Sequence, residues 1–264
     1  MVNSTLLIVA GPTGSGKSRT IDRMVSRLDM KQYVSAQIDD LVQADPDYVK
    51  SMGKLLIRMG DPNVQKQMDD LYYHIREKDG CAASKKESEA FLKTMPMYIR
   101  RVLKGGGCGL EMNAMLAKSF STKANIVFET TGHTYPSWLI GIAKRLNYRI
   151  IMTYTLADFQ TLLRRNNQRM KDAISEFRSG KKKLAPRLPD ITPSVFHSRF
   201  NKVRQMLLFT IWDDKLDDPD DGIDCLYVFE NMNKLKLSLV VKPRMNLQEK
   251  QNVLRDLFLI MARA

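Results

Sequence analysis

The sequence predicts an α/β fold: a parallel sheet flanked by helices on both faces, with a helical insertion and a C-terminal helix. Three observations lead there. Short apolar runs rich in β-branched residues alternate with stretches of helical periodicity along the 264 residues, the pattern of strands buried on both sides. The first run, Leu6 to Val9, passes through a glycine-rich bend straight into a helical segment. Acidic residues fall at the carboxyl ends of the next two runs, which is the edge of a parallel sheet where ligands bind.

Taken in order, residues 17 to 28 read as a helix and YVSAQID as a second strand ending at Asp39 and Asp40. DPDYVKSMGKLLIRM is helical, with Pro46 near its start. Residues 64 to 104 keep helical periodicity, broken near Gly80 to Ser84, and KGGGCG at 104–109 is a connection before the helix LEMNAMLAKSF. ANIVFETTG is a buried strand with Glu129 at its carboxyl end, followed by a helix over 136–146. YRIIMTYTL is the next strand, and residues 158 to 178 form a long basic helix that stops where three lysines and three prolines crowd residues 179–193. SVFHSRFNKVRQMLLFT is helical, CLYVFEN and KLKLSLVV are late strands, and NLQEKQNVLRDLFLIMA closes as a helix. The expected organisation is a single domain, 1–264, with a helical insertion at about 60–120, a basic segment at about 164–190 and a C-terminal extension at about 231–264.

Hydrophobic residues make up 44% of the chain, enough for a sizeable core. No apolar run approaches the length needed to span a bilayer, and the first segment reads as a strand rather than a signal peptide. Cys81, Cys108 and Cys225 are scattered and His74, His133 and His197 dispersed, so neither a disulfide framework nor a zinc site is expected, and the compartment expected is the reducing cytoplasm. The formal charge of +13 favours polyanionic partners, nucleotides, phosphorylated metabolites or nucleic acid. It concentrates in residues 164–190, whereas residues 213–224 are acidic and read as a solvated loop.

The bend GPTGSGKS, residues 11–18, fits G-x-x-x-x-G-K-[ST] in full. Glycines let backbone N–H groups converge on phosphate oxygens without a Cβ in the way, and the following helix adds its free N–H groups and positive dipole end. The expected ATP-binding set is Gly11, Thr13, Gly14, Ser15, Gly16, Lys17, Ser18 and Arg19. Lys17 reaches the β- and γ-phosphates, and the Ser18 hydroxyl is the expected Mg²⁺ ligand.

Phosphoryl transfer needs positioning, neutralised charge and a base near the attacking hydroxyl. Asp39 and Asp40 are both candidate bases, with Asp40 narrowly preferred. Glu129 is placed to bind an acceptor hydroxyl or to support the metal shell, with Thr130, Thr131 and His133 along the same rim. The basic stretch reads as a lid that closes an arginine onto the transferring group; Arg169 and Arg187 are the candidates, with Arg164 and Arg165 close competitors.

In their order, GPTGSGKS, QIDDL, IVFETTGHT, NNQRM and PRLPDITP, the chain resembles the zeta-toxin-type P-loop kinases from about residue 5 to about residue 230. The resemblance implies a P-loop kinase-like fold and transfer of the γ-phosphoryl group of ATP to a hydroxyl acceptor, which in bacterial members is that of UDP-N-acetylglucosamine. It puts the base at Asp40, acceptor contacts at Glu129 and Thr131, and phosphate-facing arginines at Arg169 and Arg187. The chain departs from the family pattern in two places. It reads I-D-D where the pattern is I-D-x-D, which leaves the choice between Asp39 and Asp40 open, and E-T-T-G-H replaces E-G-T-G-R. Two alternatives stand beside this reading: a polynucleotide 5′-hydroxyl kinase, which the net charge fits, and a non-catalytic nucleotide-binding regulator.

Overall fold

The computed structural model describes residues 4–58, 63–77, 82–105, 109–187, 193–213, 215–216, 218–220 and 222–263. They fall into two compact units. The first comprises Met1–Ala36, Ser119–Leu163 and His197–Ala264, and the second Gln37–Lys118 and Arg164–Phe196.

The first unit holds a six-stranded sheet of β1 (Thr5–Ala10), β2 (Val34–Ala36), β3 (Ile126–Thr130), β4 (Arg149–Leu156), β5 (Cys225–Asn231) and β6 (Leu235–Val241), in the order β2-β3-β1-β4-β5-β6. β1 is central and parallel to both β3 and β4, with Ala10 level with Thr130 on one side and Tyr154 on the other. β2 runs parallel to β3 and β5 parallel to β4, so the carboxyl ends of five strands share one edge. All six residues of β1 are buried. Successive strand residues face opposite sides, so both faces are covered. On one face Leu7, Val9, Val127, Ile151, Tyr227 and Phe229 pack with Ile21 and Met24 of helix α1 (Lys17–Arg27). Leu6, Ile8, Ile126, Ile150 and Met152, which point the other way, are buried as completely. The fold is P-loop kinase-like, a mostly parallel sheet surrounded by helices, as the sequence pattern implies.

Two sheet features differ from expectation. β6 is antiparallel to β5. Only residues 232–234 connect them, far too few for the crossover a parallel neighbour needs. β2 stops at Ala36, and Asp39 and Asp40 lie in the first turn of a helix, α2 (Ile38–Ala44), rather than at the end of a strand. Acidic side chains are favoured there by the helix dipole.

The second unit is helical. α2 is followed by α3 (Pro46–Ile57), α4 (Val64–Glu77), α5 (Ala82–Thr94) and α6 (Met97–Gly105), then by α7 (Leu110–Ser121), which ends in the first unit. Asp45 starts α3, its Oδ1 accepting from the N–H of Asp47 at 2.9 Å and of Tyr48 at 3.0 Å, with Pro46 at the first helical position. The expected break near Gly80 falls partly outside the described residues, as do residues 106–108 of KGGGCG. A further break, not expected, separates α5 from α6 at Pro96, whose ring cannot continue a helix. After α8 (Ser137–Arg145), α9 (Phe159–Arg178) and α10 (Pro193–Trp212) each contribute residues to both units, and α11 (Leu247–Arg263) belongs to the first. The second unit's core joins Tyr48, Met52, Leu56, Met68, Tyr72 and Ala185, with Met170, Ile174 and Phe177 of α9 against it. Among the described residues no helix is long and apolar enough to cross a membrane.

Candidate phosphate-binding site

The glycine loop joins the carboxyl end of β1 to α1. Its glycines are there for lack of room. A Cβ at Gly11 would stand 2.7 Å from both the Ser15 Oγ and the Thr155 carbonyl oxygen. Gly14 and Gly16 have φ of 83° and 95°, which other residues adopt only at a cost. Gly16 is the N-cap of α1, whose first turn carries no acidic side chain, so nothing on the helix itself neutralises its positive end.

Lys17 lies over the loop. Its Nζ donates to the Gly11 carbonyl at 3.0 Å and to that of Pro12 at 3.4 Å, and stands 3.5 Å from the Glu129 Oε1. Both side chains are mostly sheltered, at 10% and 23% exposure, so the loop cation and the strand-end carboxylate form an ion pair. Thr20 and Thr155 link α1 to β4 through buried hydroxyls 2.8 Å apart. Ser18 and Arg19 are exposed in the first turn of α1. Thr13 and Gly14 are half-buried on the loop.

On the next loop Thr131 is exposed, with its Oγ1 3.3 Å from the His133 Nδ1. Thr130 turns back, its Oγ1 accepting from the Gly132 N–H at 3.3 Å. A Cβ at Gly132 would meet the Ala10 Cβ at 3.1 Å and the Gly11 nitrogen at 3.3 Å, so this loop lies directly against the glycine loop.

His133 is half-buried and its imidazole is pushed down to about 4, by burial first and then by the charges of Arg199, Lys202 and Lys17. It is a neutral group at pH 7. Because the folded value lies below the ordinary one near 6.5, its contribution to stability is complete above that value and is lost as pH falls from there toward 4. The slope from one such group is at most about 1.4 kcal/mol per pH unit, less with solvent screening. Urea titrations at pH 7.5, 6 and 5 should show a smaller acid loss for His133→Gln than for the natural chain. Equal losses would remove His133 from the acid response.

The second unit holds the other expected residues. The Tyr72 hydroxyl donates to Asp39 Oδ1 at 2.5 Å, which commits that carboxylate. Burial, then the charge and hydrogen bond of Asp39, push the Tyr72 phenol up. Asp40 is exposed in the same helical turn; partial desolvation and then the Asp39 charge raise its carboxyl, and Arg169 on α9 opposes them. The helix's N-cap is Gln37, with Asp39 and Asp40 at its second and third positions. Arg187 is held: its guanidinium lies 3.4 Å from the Tyr72 ring centroid and its Nη1 is 2.9 Å from Asp69 Oδ1. Tyr48 fixes the same segment, donating to the Pro186 carbonyl at 3.1 Å. Arg164 and Arg169 are exposed on α9, and Arg165 is half-buried. Asp39, Asp40, Arg169 and Arg187 thus belong to one unit, and the glycine loop, Glu129 and Thr131 to the other.

Three contributors to the loop are absent from the sequence expectation: Thr155, Gly132 and Asn231, whose Nδ2 donates to the Ser15 carbonyl at 2.6 Å. Asn231 ends β5, and the same strand-end rule that singled out Glu129 applies to it. Among the described residues no group of three or more His, Cys, Asp or Glu gathers to hold a metal ion.

A strand, a G-x-x-x-x-G-K-S loop and a helix stand at the centre of a mostly parallel sheet, the arrangement of a P-loop kinase-like fold. The chain is similar to a solved structure from the PezAT chromosomal toxin–antitoxin system of the human pathogen Streptococcus pneumoniae, with 13% identity and a TM-score of 0.49 over all of this chain and 86% of that one. It is also similar to the AvrRxo1-ORF1:AvrRxo1-ORF2 complex solved with sulphate ions (15% identity, TM-score 0.45) and with ATP (13%, 0.43), in each case over 95% of this chain and 63% of that one. No protein-family model and no curated protein matches the sequence.

Proposed function

We propose that the protein is an ATP-dependent phosphotransferase acting on a hydroxyl acceptor. The observation that carries this reading is the loop itself: two glycines pressed against their neighbours, an α1 N-terminus without acidic side chains, and Lys17 poised over the loop beside Glu129. Backbone N–H groups and the helix end bind the β- and γ-phosphates. Lys17 exchanges the Gly11 and Pro12 carbonyls for phosphate oxygens, neutralising the charge that grows on the leaving group. Ser18 would hold Mg²⁺, which when bound supplies further charge neutralisation between the phosphates. Glu129 and Thr131 are assigned to the acceptor, and a UDP-sugar is the acceptor class the zeta-toxin-type resemblance favours.

The base is assigned to Asp40. Asp39 is engaged by Tyr72, and burial together with the Asp39 charge raises the Asp40 carboxyl, which favours taking up a proton there. Arg169 is the arginine assigned to phosphate, being exposed. Arg187 takes that role only by exchanging Asp69 for a phosphate oxygen.

The test is transfer from γ-labelled ATP to UDP-sugars, nucleosides and 5′-hydroxyl oligonucleotides side by side. Label on a UDP-sugar is the expected result. Label on an oligonucleotide, with acceptor binding that weakens steeply with salt, would instead make the exposed basic face of α9 a substrate track. ATP binding with no transfer to any acceptor would overturn the enzymatic reading in favour of a nucleotide-binding regulator.

A further inference from the structure

The carboxyl end of β5 carries an amide that the phosphate chemistry above does not use. Asn231 is 1% exposed, and its Nδ2 reaches the Ser15 carbonyl across 216 residues of chain. Its orientation follows from chemistry, because a carbonyl only accepts and the amide must turn its NH₂ toward it. The contact leaves no space: a Cβ on Gly16 would fall inside the Asn231 amide. Ser15 is fully buried, and its N–H is already spent on the Pro12 carbonyl at 3.1 Å.

The Ser15–Gly16 peptide is trans and planar, as no cis bond occurs in the described chain. In such a plane the carbonyl of one residue and the N–H of the next point in opposite directions. Fixing the Ser15 carbonyl on Asn231 therefore fixes the Gly16 N–H away from Asn231. Without that anchor the plane would be easy to turn, since glycine populates both signs of φ.

We infer that Asn231 is a positioning residue for the phosphate loop, presetting the Ser15–Gly16 peptide so that the Gly16 N–H is aimed at the phosphates of a nucleoside triphosphate before it arrives. This rests on the phosphate-binding reading of the loop proposed above. A donor set in advance needs no reorganisation on binding, and that is where such groups gain their strength. The anchor is placed to do this because β5 is fixed on both sides, parallel to β4 and antiparallel to β6, with Asn231 level with Leu235.

The experiment is calorimetric titration of ATP and of inorganic tripolyphosphate into the natural chain, Asn231→Ala and Asn231→Asp, each with a melting curve. Both variants remove the donor, and the aspartate keeps the volume. The expected result is that both ligands weaken in parallel by about 10- to 100-fold in protein that is folded at the assay temperature, the range for losing one hydrogen bond to a charged group. A merely structural asparagine would lower the melting temperature and leave the affinities of the folded protein within about two-fold, which would overturn the inference. If the alanine variant melts below the assay temperature, the aspartate variant decides. Failure of the underlying reading looks different: the natural chain itself would bind neither ATP nor tripolyphosphate, and the inference would fall with it. Binding without transfer would overturn only the kinase assignment, and the ratio of affinities would still judge Asn231.

Discussion

On the proposed function, Lys17→Ala is expected to abolish phosphoryl transfer and to weaken ATP binding, with a loss of at least about 10²–10³-fold in turnover, the usual cost of deleting a preorganised charged or hydrogen-bonding group at a phosphate or oxyanion. Lys17 lies over the loop, with Gly11 and Pro12 carbonyls and the Glu129 carboxylate around its ammonium. Truncation removes the cation and leaves Glu129 as a net negative charge beside the place where phosphate must come, so loss of attraction is joined by repulsion. The fold should survive, because Lys17 is the first residue of α1 and contributes nothing to the apolar face formed by Ile21 and Met24. Binding is read by calorimetry, turnover by label transfer and folding by circular dichroism. A folded Lys17→Ala protein with normal turnover would remove the central claim. A Glu129→Gln, Lys17→Ala double variant should recover part of the binding, though none of the transfer.

Asp40→Asn keeps ATP affinity and lowers transfer by about 10²–10⁴-fold, the range for removing a general base. The pH profile carries a second signature. Burial and the neighbouring Asp39 raise the Asp40 carboxyl, so the proposed transfer by the natural chain should fall on the acid side at a higher pH than an ordinary carboxylate, near 3.9, would allow. Arg169 opposes that rise. Arg169→Ala should therefore move the acid limb further up, and Asp40→Asn should erase it. Asp39→Asn should act differently, through the lost Tyr72 hydrogen bond, and leave the acid limb in place at a lower pH once the repelling charge is gone. If Asp39→Asn gives the large loss and Asp40→Asn does not, the two roles are reversed.

The strands were legible because burial on both faces leaves a plain apolar signature: IVF in β3, RIIMTYTL in β4 and CLYVFEN in β5 all lie where the runs put them. The glycine loop was legible because steric demands fix its residue types one by one. Direction in the sheet was less accessible. KLKLSLVV reads as a strand whichever way it runs, and only the shortness of the link through Met232, Asn233 and Lys234 tells that it returns antiparallel. The end of β2 was misplaced because Gln37, Ile38 and Asp39 carry no strand-stopping residue, and helical pairing beyond Ala36 wins over local pattern. Of the site, Lys17 and Glu129 were each singled out, one by the loop motif and the other by its place at a strand end, and their ion pair emerges only in the fold. Asn231 and Thr155 were not found, because their contribution is a contact between segments more than 130 residues apart and no local motif encodes it.

β1 lies between β3 and β4, so its two neighbours in space begin only at Ile126 and Arg149, and the amide that steadies the glycine loop comes from residue 231. On a ribosome moving at about 5–20 residues per second, roughly 10–45 s separate the making of Gly11 from the making of Asn231. For the first part of that interval the loop is a solvated bend without sheet neighbours, and after β3 and β4 have been made it still lacks the Asn231 anchor. On the proposed phosphate-binding reading, nucleotide capture reaches full strength only after residue 231 has been made. Ribosome-bound chains stalled before residue 231 would carry the whole G-x-x-x-x-G-K-S motif and yet hold ATP poorly.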